Sequence, residues 1–144
     1  MTCEPPAIPR ATPDVATLDI LLVEDEPRFR ELLWALLTQA GYRVVAVSNG
    51  RAALTFLTVR SARLLITDIC MPETDGFELL TKLRRTQPML PIIAMSGGVD
   101  ISLQYLKTAS FLGAVRTLPK PFPLTELTAA EEATIGHPRG AGFP

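Results

Sequence analysis

Five short apolar runs punctuate the chain, and each ends on polar or turn-forming residues. They are Asp19 to Val23, Tyr42 to Val47, Leu64 to Asp68, Pro91 to Met95 and Gly113 to Leu118. Short runs rich in branched residues, closed by turn residues, predict fully buried strands. The segments between them carry a helical period instead. Phe29, Leu32, Leu33, Leu36, Leu37 and Ala40 form one stripe, which begins after Pro27 and stops at Gly41. Proline suits the first helical position because its missing N–H would be unpaired there, and glycine suits the stop. Trp34 lies off the stripe, which predicts a partly exposed rim residue. Asn49-Gly50 opens a second, shorter helix with Ala53, Leu54 and Leu57, and Asp75-Gly76 leads into a third through Phe77, Leu80 and Leu83. Ile101, Tyr105, Ala109 and Leu112 mark a fourth, and a fifth starts near Leu124 and fades by about Ala133.

Strands that are apolar almost throughout, alternating with helices, imply a parallel sheet covered on both faces. The expected organisation is one α/β domain over residues 19–133. Residues 1–18 hold Pro5, Pro6, Pro9 and Pro13 with little apolar content, and read as a disordered leader. Residues 134–144 are Gly/Pro-rich and read as a loose tail.

Composition narrows the class. With 47% hydrophobic and 20% charged residues among 144, the chain has an ordinary globular make-up. Its 14 basic and 15 acidic residues give a formal charge of −1, which argues against direct nucleic-acid binding. The apolar runs fall short of the ~18 residues that span a bilayer, so no membrane insertion is expected. No basic segment followed by an apolar one opens the chain, so no secretory signal is expected. Cys3 and Cys70, with a single histidine, cannot complete a four-ligand zinc site. A reduced, cytoplasmic setting is the expectation.

A parallel sheet brings the C-terminal ends of its strands to one edge, where open α/β sheets bind ligands. Glu24 and Asp25 follow the first run, Asp68 ends the third, Ser96 follows the fourth, and Lys120 follows the fifth. Each has a plainer use: the acids as helix caps, Asp68 and Ser96 as turn residues, Lys120 as a loop lysine. Together they make a different site. Three crowded carboxylates repel one another, a hard cation such as Mg²⁺ removes that cost, and a lysine and a hydroxyl suit an arriving anion. Those are the parts needed to accept a phosphoryl group on a carboxylate.

The motifs Ile-Leu-Leu-Val-Glu-Asp-Glu (20–26), Leu-Leu-Ile-Thr-Asp-Ile-Cys-Met-Pro-Glu-Thr-Asp-Gly (64–76), Pro-Ile-Ile-Ala-Met-Ser-Gly (91–97) and Leu-Pro-Lys-Pro-Phe (118–122) resemble the receiver domain of bacterial two-component response regulators. The resemblance implies a flavodoxin-like, doubly wound five-stranded parallel sheet in the order 2-1-3-4-5 with five helices. It implies Asp68 as phosphoacceptor, Glu24 and Asp25 as the acidic pair at a Mg²⁺ ion, and the backbone carbonyl of Cys70 as a further ligand. Ser96 resembles the switch hydroxyl and Lys120 the site lysine. A sensor histidine kinase or histidine phosphotransfer protein would supply the phosphoryl group, and a downstream protein partner would read it. The protein would not be an enzyme beyond its own phosphoryl acceptance and acyl-phosphate hydrolysis.

Two features depart from the usual receiver pattern. Thr117 stands where receivers often place a switch Tyr or Phe, so no ring can swing there. No output domain is expected after the last helix, which fits a stand-alone receiver, with a fragment of a longer regulator as its rival. Leu103, Leu106, Arg116 and Thr117 then mark an expected partner face on the fourth helix, fifth strand and last helix. A receiver-like module that no longer uses phosphate is the competing class. A haloacid-dehalogenase-type phosphohydrolase is disfavoured, since Cys70 stands where its second aspartate would fall. A DNA-binding regulator would need a helix-turn-helix segment.

Overall fold

The computed structural model describes residues 17–69, 76–96, 107–110, 112–120 and 122–136. Its strands are β1 Thr17–Val23, β2 Val44–Val47, β3 Ser61–Asp68, β4 Ile92–Ser96 and β5 Arg116–Pro119. They alternate with α1 Pro27–Gln39, α2 Gly50–Val59, α3 Gly76–Thr86, the helical residues 107–110 (α4) and α5 Leu124–Ile135. All pairings are parallel, and the sheet order is β2-β1-β3-β4-β5. This is the doubly wound α/β architecture that the alternation and the resemblance implied.

The near-continuous apolar runs divide by parity between two cores, because successive strand residues point to opposite faces. Ile20, Leu22, Leu64, Ile66, Ile93 and Met95 face α1 and α5. Leu21, Val23, Leu65, Ile92 and Ala94 face the opposite side, with Leu79, Leu80 and Leu83 of α3. β3 is buried from Leu64 onward and β4 throughout, whereas every residue of the edge strand β2 is only partly buried.

Two strands start later than expected, for one shared reason. The C-terminus of α1 closes with Gly41 N–H donating to Thr38 O (3.0 Å) and Tyr42 N–H to Leu37 O (3.2 Å). Gly41 adopts φ 108°, so this is the glycine-terminated closure that satisfies otherwise orphaned carbonyls. α4 ends identically, with Gly113 (φ 113°) donating to Ser110 O and Ala114 to Ala109 O. Tyr42, Gly113 and Ala114 thus belong to helix endings. β1, by contrast, starts two residues early: Leu18 is buried and pairs with Ala62. α5 likewise continues past Ala133 to Ile135. The remainder of the expected leader (1–16), and the tail after Gly136, lie outside the described residues.

The stripe on α1 is narrower than its sequence suggests. Leu33 and Leu37 are buried, but Leu32 is 49% exposed. A helix resting on one sheet presents only its central line to the core. Trp34 is half-exposed as expected, and its indole N–H donates to Val44 O at 3.1 Å, tying α1 to the edge strand.

Candidate functional site

Four strand ends converge at the C-terminal edge, and the backbone ladder runs past β1, β3 and β5 to hold the residues that follow. Glu24 N–H donates to Val47 O (3.1 Å), Ile69 N–H to Met95 O (2.9 Å) and Lys120 N–H to Ser96 O (2.7 Å). Register does the rest. Val23 stands beside Thr67, Asp68 beside Met95, and Ser96 beside Pro119, so Glu24, Asp68, Ser96 and Lys120 fall at or just past the ends of four neighbouring strands.

The side chains make a charged cluster. Carboxylate oxygens of Glu24, Asp25 and Asp68 all lie within 4.8 Å of one another, and no other such group of acids, histidines or cysteines occurs among the described residues. The Lys120 Nζ donates to Asp68 Oδ2 at 2.8 Å and to Glu24 Oε1 at 3.1 Å. Glu24 and Asp68 are buried and Asp25 partly so. Burial, and then the charge of Asp68, pushes the Glu24 carboxyl up to about 7, against the pull of Lys120 and a backbone N–H. Burial alone would lower the Lys120 ammonium; the bond and charge of Asp68, then those of Glu24, outweigh it, and the net shift is upward. One lysine cannot neutralise three carboxylates. An all-oxygen donor set this close suits a hard divalent cation, which takes carboxylates and completes its shell with water.

The capping alternative for the acids is decided by Glu26. Glu26 is the N-cap of α1, and its carboxylate accepts from Phe29 N–H at 2.7 Å. Pro27 at the first helical position marked residue 26 for that role. The side chain of Glu24 instead faces Lys120, while its Oε2 accepts from Glu26 N–H (3.2 Å) and its carbonyl from Arg30 Nη1 (2.9 Å). The Arg30 brace on the acidic pair was not anticipated from the sequence; its spacing one turn into α1 was the available signal.

Ser96 is fully buried at the end of β4. Thr117 pairs with Ala94 on β5, and the exposed Arg116 pairs with Ile93. These two are on the outer strand β5, which leads into Lys120. Cys70, Leu103 and Leu106 lie outside the described residues.

A family model described as "response regulator receiver domain" matches residues 20–132. The chain belongs to that family. This receiver domain is 33% identical over 120 residues to the DNA-binding transcriptional regulator NtrC of Rhizobium meliloti, a match covering 83% of this chain and 24% of that protein. It is 36% identical over 116 residues to the transcriptional regulatory protein FixJ of Bradyrhizobium diazoefficiens, covering 81% of this chain and 56% of that one. The chain thus spans about a quarter of the length of the NtrC relatives it matches. Among solved structures, the receiver domain of NtrX from Brucella abortus superposes with a TM-score of 0.75 at 28% identity, covering 81% of this chain and 98% of that one. The response regulator TrrA of Thermotoga maritima, solved in complex with Mg²⁺-BeF, superposes with a TM-score of 0.73 at 29% identity, covering 82% and 99%.

Proposed function

We propose that this receiver domain is a phosphorylation-controlled switch in which Asp68 accepts the phosphoryl group. The observation that carries the reading is the Lys120 ammonium bridging Asp68 and Glu24 beside Asp25, a buried anionic site with a cation already aimed at the acceptor. An Asp68 oxygen attacks phosphorus, the bond from phosphorus to the donor's histidine nitrogen breaks, and that nitrogen regains a proton. Lys120 follows the transferred group because its stem is long and movable. Ser96, one strand away, donates to the new phosphoryl oxygens. Glu24, Asp25 and Asp68, with the Cys70 carbonyl, would hold Mg²⁺, which when bound neutralises the oxygens of the approaching phosphate. The relative crystallised with Mg²⁺-BeF supports that choice of ion.

The donor is a phosphohistidine on a sensor kinase or phosphotransfer protein, and the reader is a downstream protein. Arg116 and Thr117, with Glu126, Ala129 and Ala133 of α5, line a shallow groove suited to such a partner, to which Leu103 and Leu106 would add. No described helix is long and apolar enough to cross a membrane, and a cytoplasmic location is part of this reading. The protein turns over no separate substrate; it accepts and then hydrolyses its own acyl phosphate.

Incubation with acetyl phosphate and Mg²⁺ should add one phosphoryl mass to the intact protein. Asp68→Asn should abolish that addition, and Asp25→Ala should weaken Mg²⁺ binding at least about tenfold, since loss of even an outer-shell partner of a metal ligand costs ~10–100-fold. Full labelling of the Asp68→Asn protein would move the acceptor elsewhere.

A further inference from the structure

Lys120 has a third neighbour besides its two carboxylates. Its ammonium lies 4.5 Å from the centroid of the Phe29 ring, inside the range of a cation–π contact. The Phe29 ring is braced in turn by Phe122, with centroids 6.2 Å apart and planes at 65°, an edge-to-face arrangement. Both rings are only partly buried and pack at the rim of the core beneath α1 and α5. Phe29 belongs to the first turn of α1 and Phe122 to the segment between Lys120 and α5, so two separate elements converge beside one lysine.

That lysine has an unusual demand placed on it. Before transfer its ammonium is held by Asp68 Oδ2 at 2.8 Å. When Asp68 attacks phosphorus, the ammonium must loosen that bond and follow a phosphoryl oxygen. Its side chain keeps 20% exposure, and a lysine ammonium is strongly hydrated on a flexible stem, so escape to water competes with the transfer of partner. The face of an aromatic ring attracts a cation without a fixed bond direction. It can keep hold of Nζ through a small displacement, where an aliphatic side chain would only exclude water.

We propose that Phe29 is a positioning residue for phosphoryl acceptance: its ring face holds the Lys120 ammonium in the site while that cation changes partner from Asp68 to the transferred group. The role rests on the assignment of Asp68 as acceptor, and acts through Lys120 alone.

The test replaces Phe29 in the full chain with phenylalanines of increasing fluorination, which keep the ring's shape while depleting its negative face. The rate of Asp68 labelling by acetyl phosphate with Mg²⁺ should fall stepwise along the series, by about threefold to tenfold at its end. Phe29→Leu should match the low end, Phe29→Tyr should keep nearly the full rate, and Mg²⁺ affinity should stay constant throughout. In the unphosphorylated protein, the Lys120 ε-methylene protons should show an upfield ring-current shift that Phe29→Leu removes. A flat rate along the series, with the unmodified protein fully labelled, overturns the role of Phe29 and leaves Asp68 as acceptor. A rate that falls only together with Mg²⁺ affinity overturns it also, since distortion of the acid cluster then explains the loss. An unmodified protein that takes no label at all overturns the acceptor assignment, and this proposal with it.

Discussion

Two buried acidic positions on β1 and its exit behave in opposite ways. Asp19 is fully buried near the N-terminal edge, yet its oxygens are matched: Arg63 Nη1 donates to Oδ1 at 3.2 Å and Arg43 N–H to Oδ2 at 2.8 Å. Arg63 goes on to donate to Ile135 O at 2.8 Å, so one ion pair ties β1, β3 and the end of α5 together. Five residues later, Glu24 shares a single lysine with Asp68 and sits among three carboxylates. The first cluster is balanced and holds the fold. Among the described residues the second holds one lysine against three carboxylates, and that imbalance is what an arriving cation and then a phosphoryl group would use. Burial of charge alone does not distinguish structure from function; the local balance of charge does.

That contrast can be broken experimentally, beginning where the effect is greatest. Lys120→Ala removes the cation of the anionic site and should slow labelling by acetyl phosphate by about 10²-fold, a loss comparable to deleting one preorganised charge-stabilising donor. Labelling within a factor of two of the parent would mean that the lysine is a bystander.

Substitutions at the two clusters should move stability in opposite directions. Asp19→Ala strips a buried ion pair of one partner, and because Arg63 keeps 26% side-chain exposure the expected cost is about 2 kcal/mol, below the full cost of a wholly buried pair. Asp25→Asn removes repulsion from the upper cluster and should stabilise the metal-free protein by about 0.5 kcal/mol. Urea unfolding in chelator reads both. Destabilisation by Asp25→Asn would show that the upper cluster is balanced after all.

Glu131 on α5 sharpens the comparison as a further buried acid, with both carboxylate oxygens lacking a hydrogen-bond partner among the described residues. Burial, and then the charge of Glu132, pushes its carboxyl up from 4.5 to about 8. An unfolded chain releases that proton near pH 4.5, whereas the folded protein holds it to about 8. Its contribution is therefore complete below pH 4.5 and is lost as pH rises through about 8. The urea midpoint should fall between pH 5 and pH 8, and Glu131→Gln should reduce that fall. An equal fall in the variant would place the pH dependence elsewhere.

The smallest effect is expected on the outer strand. Thr117 has no ring to swing, so Thr117→Ala should leave phosphorylation-dependent partner binding nearly intact, while Ser96→Ala should uncouple binding although Asp68 still takes phosphate. Co-elution of the phosphorylated variants with the partner measures both, and the reverse pattern would reassign the signal to β5.

The sequence by itself determined the alternation of elements, because apolar period, Pro27, Gly41 and Asn49 act over a few residues. Asn49 does accept from Ala52 N–H at 2.8 Å, as an N-cap should. The site acids and the lysine were legible for a related reason: polar residues directly after apolar runs have one place to go in a parallel sheet. Helix endings misled the reading of Tyr42 and Gly113, since apolar content does not distinguish a closing turn from a strand. The exposure of Leu32 was hidden too, because a periodic stripe does not say how much of itself the sheet will cover. Only the tertiary structure decided which charges meet. Lys120 reaches Glu24 across 96 residues of chain and Asp68 across 52, and the Phe29 ring closes on that same ammonium. Contacts between such distant residues depend on strand order, register and helix packing together, and no local pattern carries that information.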